Sequence, residues 1–197
     1  MKSPAALFLA LVVLTGCVNL DPAPNRSRHF TLAATADSGA ENRASLALVV
    51  MPVSIPDFLK RSNVVLRKNA DELEVSDFDR WAEPLENGIA RVVRENLTAL
   101  LNSRFIRTSD QPGARSDELQ LNITVIEFTT DTGGEARVVI ESKLLGADGK
   151  SILTASRTRL TTPAAEPPAD SAKAVAALSD ALKQYSEQLA GLLRQLR

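Results

Sequence analysis

Two long segments of the chain carry apolar residues at helical spacing. The first predicts a helix over about residues 82–102, with Pro84 tolerated only in its first turn, where the missing N–H is not needed. The second predicts a helix over 171–196, capped by Asp170 or Ser171, with apolar residues in a heptad pattern. Such a seam is typical of a helix lying on a sheet and of a helix that also packs against another subunit. Both interpretations stay open. The apolar positions are Leu85, Ile89, Val92, Val93, Leu97, Leu100 and Leu101 in the first helix, and Val175, Leu178, Leu182, Tyr185, Leu189, Leu192 and Leu196 in the second.

Strand patterns fill most of the remaining chain. The continuously apolar residues 46–53 predict a strand buried on both faces. In residues 119–125 apolar and polar side chains alternate until Ile126, where a bulge or a strand end is expected. Asp148-Gly149 predicts a hairpin turn. The other predicted strands are 29–35, 63–67, 72–75, 136–145 and 151–160, with a loop over 108–117. Together these elements predict a single α/β domain with a mixed, largely antiparallel β-sheet and two long packed helices.

The first residues have the pattern of a secretory signal. The apolar run of ten residues that ends at Leu14 is too short to span a bilayer, which takes about 20 residues. Leu14-Thr15-Gly16-Cys17 resembles the bacterial lipobox. That resemblance implies cleavage between Gly16 and Cys17, a diacylglycerol on the Cys17 thiol and a fatty acid such as palmitate on the new amino group. A buried or free thiol is the alternative. We therefore expect a signal peptide at 1–16, a lipidated tether at 17–27 and a periplasmic domain at 28–197.

Composition excludes several functions. The net charge of −1 and the aromatic content of 4% do not suit nucleic-acid binding. Cys17 is the only cysteine, so the chain can form no internal disulfide and has no second thiol for catalysis or for a Cys-based metal site. His29 is the only histidine, and Asp77, Asp79 and Glu83 are better explained as solvated or capping charges than as a catalytic pair. We therefore expect no enzymatic activity, catalytic residues, metal or cofactor.

Residues 51–101 carry the most informative string of motifs. They contain a strand end bounded by Pro52 and Pro56, the turn Phe58-Leu59-Lys60-Arg61, a short strand ending in Arg67, and Arg80-Trp81-Ala82-Glu83-Pro84-Leu85 at the start of a helix. This string resembles the PqiC family, the ABC-type transport auxiliary lipoproteins. Residues 29–32, 119–128 and 174–182 agree with other parts of that family, so the resemblance covers almost the whole mature chain.

The resemblance implies an auxiliary, docking function. It implies an outer-membrane lipoprotein on the periplasmic face, whose partner is a PqiB-like MCE-domain protein in a system that moves lipids between the two membranes, with ring-like homo-oligomers. Val18, where Asp would favour inner-membrane retention in enteric bacteria, agrees with the outer membrane. The alternative is a lipoprotein that itself carries a lipid or another solute.

The family motifs also supply the candidate contact residues. For Arg80, Trp81, Glu83 and Pro84 the two interpretations are a structural role at the helix start and a direct contact with the partner. In the structural interpretation Trp81 packs under the helix and Arg80 pairs with Glu83 or Asp77. Arg61 and Arg67 are either solvated charges or contacts to a partner or a lipid headgroup. The candidate contact residues are Arg61, Arg67, Arg80, Trp81, Glu83 and Pro84.

Overall fold

The computed structural model describes residues 26–39, 45–163 and 170–196. The predicted signal peptide, Cys17 and nearly all of the predicted tether lie outside these residues. The strands are β1 Arg28–Phe30, β2 Leu48–Val50, β3 Asn63–Arg67, β4 Leu73–Trp81, β5 Ile106–Thr108, β6 Leu119–Asp131, β7 Ala136–Leu145 and β8 Ile152–Thr162, and the helices are α1 Leu85–Leu101 and α2 Ser171–Gln195. Within the described residues, no helix is long and apolar enough to cross a membrane.

All eight strands form one mixed sheet centred on β6. On one side of β6 the antiparallel strands β7 and β8 follow in order and form the predicted meander. On the other side β6 is shared by two branches. β2 pairs in parallel with the first residues of β6, and β5 pairs with the other edge of β2. β3 pairs in parallel with the last residues of β6, and β4 and then β1 follow beyond β3. The sheet therefore forks on this side of β6.

Two prolines explain the fork. After β2 the chain still runs beside β6, because Met51 N donates to Leu121 O at 2.9 Å and Ser54 N donates to Ile123 O at 3.0 Å. Pro52 and Pro56 have no N–H, so the chain cannot continue a regular ladder there. It turns away through a short 3₁₀ turn, Asp57–Leu59, and returns to β6 only as β3. The predicted break at these prolines is therefore confirmed.

The two helices pack against each other and over one face of the sheet, with α2 contacting β6, β7 and β8. The α1 stripe predicted from the sequence is buried. On α2 the heptad residues from Val175 to Leu189 are buried in the same core, so the seam is used within the chain. Leu192 and Leu196 are half-buried. Asp170 caps α2, its carboxylate accepting from Lys173 N at 2.9 Å.

Several boundaries differ from the predictions. The first strand was expected over 29–35, but β1 ends at Phe30 because the following N–H groups bind helix side chains: Ala33 N donates to Ser179, and Thr35 N and Ala36 N donate to Asn96. α1 begins at Leu85 and not near residue 82, because Ala82 N is still bonded to Phe30 O of β1 at 2.8 Å. β5, next to the predicted loop, had not been predicted as a strand.

The irregularity predicted at Ile126 is confirmed. The β6–β7 register shifts between Val125 and Glu127, which leaves Ile126 as the extra residue of a bulge, 40% exposed. The Asp148-Gly149 turn also forms, with Gly149 at a φ of 65°, a conformation that favours glycine. The fold class predicted from the sequence is confirmed by the single mixed sheet and its two helices.

Candidate functional site

Residues 80–85, the most specific family motif, form a corner between β4 and α1. Trp81 N donates to Ser62 O at 2.6 Å, which fixes the end of β4 beside the start of β3. Pro84 occupies the N-cap position with an extended ψ of 131°, and its carbonyl accepts from Asn87 N at 3.0 Å and Gly88 N at 3.1 Å. Proline suits this position because the first N–H groups of a helix have no partner within the helix. The motif therefore holds both the end of β4 at Trp81 and the start of α1 at Leu85.

Glu83 and Arg91 fasten this corner to the segment after β1. The Glu83 carboxylate accepts from the Arg91 guanidinium at 2.6 Å and from the Thr31 hydroxyl at 3.0 Å. The same guanidinium donates to Leu32 O at 2.9 Å. The hydrogen bond from Arg91 holds the pKa of Glu83 below its ordinary value against the opposing effect of burial, and the pKa of Arg91 is raised for the same reason. Glu83 is therefore ionised at neutral pH and joins three parts of the chain.

A cleft of about 370 Å³ lies at the corner, and we call it the motif cleft. Trp81 is 9% exposed and provides part of its wall. Lys60 pairs with Asp57 at 2.8 Å within its own turn. The Arg61 side chain is exposed and has no hydrogen-bond or ion-pair partner among the described residues. The lining residues are Lys60, Arg61, Ser62, Trp81, Ala82, Glu83, Pro84, Leu85 and Glu86. The motif cleft thus presents a free cation beside an aromatic wall and the carboxylates of Glu83 and Glu86.

A second cleft, of about 510 Å³, lies on the other side of Glu83 and Glu86, where the chain from Val50 to Val53 leaves β2. Its walls are largely polar side chains of α1 and of the loop after β5. Glu83 and Glu86 line both clefts, so the first turn of α1 separates them. The start of α1 therefore lies between the motif cleft and the segment from Val50 to Val53, where the chain leaves β2.

The structure brings five of the six candidate contact residues together and separates the sixth. Arg61, Trp81, Glu83 and Pro84 line the motif cleft, and Arg80 donates to Ser62 Oγ at 3.1 Å on its border. The suggested pairing of Arg80 with Glu83 or Asp77 is wrong: among the described residues Arg80 forms no ion pair, its guanidinium donates to Ser62 Oγ, and Glu83 is bound by Arg91.

Arg67 lies at the other end of β3. It forms an ion pair with Glu127 at 3.3 Å and donates to Ala70 O at 3.2 Å. Arg67 is therefore part of the sheet surface and not of the motif cleft.

The acidic residues near the corner do not form a catalytic pair. Asp79 is buried and accepts two hydrogen bonds from Arg28, at 2.7 and 2.8 Å, which lower its pKa. Glu83 is engaged by Arg91, and His29 lies exposed on β1. Across residues 26–39, 45–163 and 170–196, no group of three or more His, Cys, Asp or Glu side chains is arranged to hold a metal.

Sequence reasoning missed the partners that hold the site. Arg91 lies two helical turns after Glu83, and Thr31 is 52 residues before it. No local periodicity links these positions, since the contacts arise only when β1 pairs with β4 and places residue 31 beside the start of α1. Lys60 and Ser62 also line the motif cleft, and both are sequence neighbours of the predicted residue Arg61.

Comparison with solved structures shows which known proteins share this fold. The chain shares its fold with protein XCC0632 from Xanthomonas campestris, assigned to the family DUF330, at a TM-score of 0.70 and 19% identity over 85% of this chain and 94% of that one. It also shares its fold with an uncharacterized protein of known crystal structure at a TM-score of 0.67 and 22% identity, over 81% of this chain and 99% of that one. Among curated proteins there is no significant match.

The sequence comparison then gives the family. Residues 30–190 match the ABC-type transport auxiliary lipoprotein component, and the chain belongs to that family. The match confirms the resemblance found in residues 51–101. It extends over α1, most of α2 and all eight strands except the first two residues of β1. The family is a transport component and not a family of enzymes.

Proposed function

We propose that this protein is the docking component of an MCE-type lipid-transport system, anchored by lipidated Cys17 to the outer membrane and facing the periplasm. The observation that carries the proposal is that the family motif of this transport lipoprotein builds an exposed cleft with an uncommitted cation. In this proposal the motif cleft receives a segment of a PqiB-like MCE-domain protein, and no chemical reaction takes place there.

The contacts in the motif cleft separate its structural residues from those free to bind a partner. Glu83 and Pro84 are engaged in hydrogen bonds that hold the start of α1, and Trp81 is largely buried. The Arg61 side chain is exposed and forms neither a hydrogen bond nor an ion pair with the described residues, so no such bond ties it to the fold. An exposed Arg beside an aromatic wall suits an interface, because Arg and Trp are enriched where interfaces gain most of their energy. Arg61 is therefore the residue that we expect to contact an acidic group of the partner.

Co-purification from native envelopes tests this proposal. The tagged full chain should recover an MCE-domain protein, and Arg61→Glu should reduce that recovery severalfold by reversing the charge at the contact. Arg159→Glu is the matched control, because Arg159 is also exposed but lies on β8, at the opposite edge of the sheet. Equal recovery with both variants would refute the role of Arg61. Absence of any MCE protein, while other envelope complexes survive, would refute the docking function itself.

The membrane address is tested separately. We propose that Val18 after the lipidated cysteine directs the protein to the outer membrane. The wild-type chain should therefore sediment with outer-membrane fractions in a density gradient, and Val18→Asp should move it to the inner-membrane fractions in an enteric host. A wild-type chain that sediments with the inner membrane would contradict the proposed address. Ring-like self-association, the remaining element of the proposal, is tested by analytical ultracentrifugation of the purified full chain.

A further inference from the structure

The strand β4 contains a bulge next to the edge strand β1. The register between β3 and β4 shifts between Asn63 and Val65, so that residues 76–79 of β4 have only one residue of β3 opposite them. We call residues 76–79 the β4 bulge. Side chains hold its shape, because Asp79 N donates to Ser76 Oγ at 3.0 Å and Asn63 Nδ2 donates to Ser76 O at 2.8 Å. The β4 bulge is therefore a built feature of the sheet.

The β4 bulge presents an aromatic ring to solvent. Phe78 is 49% exposed, whereas every other phenylalanine that the structure describes is buried or half-buried. Val75, which directly precedes the bulge, is 38% exposed. A single exposed apolar residue needs no explanation, but bulges re-aim side chains, and this one is held in place by polar contacts on both of its sides. The exposed ring therefore points to a contact outside the fold.

The bulge is fastened to the strand that follows the predicted tether. Arg28 of β1 lies in register with Asp79 and donates two hydrogen bonds to its carboxylate, at 2.7 and 2.8 Å. Phe78 is thus the direct neighbour of a residue that binds the first strand of the domain. Arg28 follows Cys17 by eleven residues, and a chain of that length extends at most about 40 Å. If Cys17 carries the lipid anchor, the edge of the sheet with Phe78 is held within that distance of the bilayer.

The charges around Phe78 indicate the kind of surface that it can contact. Glu74 and Asp77 are exposed carboxylates on the same strand, Arg26 is an exposed cation, and the Arg28 guanidinium is engaged by Asp79. This balance gives no preference for an anionic surface. An aromatic ring, in contrast, gains free energy by entering the boundary between headgroups and acyl chains. The occupant that fits the bulge is therefore a phospholipid surface, bound through the ring and not through charge.

We propose that Phe78 inserts into the bilayer beside the lipid anchor and that the β4 bulge is the part of the domain that contacts the membrane. One phenyl ring is too small to hold a protein on a membrane alone, but the anchor makes the contact intramolecular and raises its effective concentration. This contact fixes the orientation of the sheet relative to the bilayer. The inference rests on the membrane anchor of the proposed function and not on its partner protein.

Fluorescence quenching on protein-free vesicles tests the inference. The anchor occupies the thiol of Cys17, the only cysteine in the chain, so Phe78→Cys provides one free thiol for the dye NBD. The lipidated full chain is reconstituted in phosphatidylcholine vesicles that contain a lipid with a nitroxide on its acyl chain. The matched control is Ile152→Cys, because Ile152 is 62% exposed but lies on β8, at the opposite edge of the sheet. We expect NBD at position 78 to emit at shorter wavelength and to be quenched several times more strongly than NBD at position 152.

The outcomes separate the bulge from the anchor. Equal quenching at the two positions, or none at position 78, would overturn the proposal. Quenching that appears only after phosphatidylglycerol is added would also overturn it, because charge and not the ring would then drive the contact. A shift at position 78 in native envelopes but not in vesicles would assign the bulge to a protein partner instead. A chain that does not float with the vesicles and takes up NBD at Cys17 would refute the anchor, and the inference with it.

Hydrogen exchange gives a measurement without a dye. On vesicles, the amides of the β4 bulge should exchange several times more slowly in the wild type than in Phe78→Ser, and the amides of β8 should exchange alike. The same comparison in the soluble Cys17→Ala chain corrects for any effect of the substitution on the bulge itself. If the ratio between wild type and variant on vesicles equals the ratio in the soluble chain, the proposal is overturned.

Discussion

The contact between Glu83 and Arg91 permits a quantitative test of how the family motif stabilises the fold. Glu83→Gln keeps the shape of the side chain and one oxygen that can accept from Thr31, but it removes the charge that Arg91 neutralises at 2.6 Å. Arg91→Met removes the guanidinium and also the hydrogen bond to Leu32 O. We therefore expect Arg91→Met to be the more destabilising of the two changes. Glu86→Gln is the matched control, because it removes a carboxylate from the same helix start without breaking an ion pair among the described residues.

The expected size of the effect follows from the exposure of the pair. The side chains of Glu83 and Arg91 are 31% and 32% exposed, so the pair is neither fully solvated nor fully buried. Its contribution to stability should therefore lie between that of a solvated surface ion pair, about 0.2–1 kcal/mol, and that of a hydrogen bond to a charged group, about 1.5–3 kcal/mol. A loss of about 1 kcal/mol in the free energy of unfolding is expected for Glu83→Gln, which lowers the Tm by about 2–4 °C in a domain of this size. Glu86→Gln should cost no more than about 0.5 kcal/mol, because Glu86 interacts only with the helix dipole and, across solvent, with the charge of Lys60.

Urea unfolding of the purified chain, followed by circular dichroism, measures these differences, and the double variant gives the coupling energy between the two residues. The pKa of Glu83 is lowered in the folded state, chiefly by the hydrogen bond from Arg91. Its contribution is therefore complete above the ordinary pKa of about 4.3 and disappears as the pH falls through the lower folded value. A coupling energy of zero, or a difference between wild type and Glu83→Gln that is unchanged at pH 3, would refute the reasoning.

Three further predictions concern other parts of the chain. Asn96→Ala should destabilise by about 2 kcal/mol in chemical denaturation, because the buried amide oxygen accepts from Thr35 N and Ala36 N, both at 3.1 Å; a loss below about 0.5 kcal/mol would contradict this. Asp148→Ala should destabilise at neutral pH, with the difference fading as the pH falls from about 4 to about 2, because hydrogen bonds from the Ser151 side chain and nearby backbone N–H groups lower the Asp148 pKa to about 2. A thermal melt at pH 2 in which the difference persists would be inconsistent with that cause. Cys17→Ala should move the chain from the membrane to the soluble fraction without changing its unfolding midpoint, and an unfolded soluble form would show that the tether belongs to the core.

Elements defined by their own periodicity could be predicted from the sequence. The α1 stripe, the alternation in β6 and the meander to β8 each repeat a local pattern over seven or more residues, and the irregularity at Ile126 was visible as a break in that alternation. β5 could not be predicted in this way. It has only three residues, and it is a strand because it pairs in parallel with β2, from which it is separated by more than 50 residues. Its state is decided by tertiary pairing and not by local preference.

The candidate site shows the same limit for side chains. Pro84 was expected in the first turn of the helix and lies one residue before it, at the N-cap, since a proline before a helical stripe is a local signal, whereas Trp81 ends β4. The pairing of Arg80 could not be predicted, because its nearest acid in sequence, Asp79, is bound by Arg28 of β1, and Glu83 is bound by a residue on the far side of the corner.

Under the docking proposal, the structural and the docking roles in the motif cleft fall on different residues. Trp81, Glu83 and Pro84 are buried or engaged in contacts that hold the corner, so substitutions there change the fold and any bound partner together. Arg61 lines the same cleft with no such contact to the described residues, so its substitution leaves the corner intact. A loss of partner binding in Arg61→Glu, with an unchanged unfolding midpoint, would therefore separate the two roles. The same loss accompanied by a lower midpoint would assign Arg61 to the fold as well, and the docking interpretation would then need a residue elsewhere on the surface.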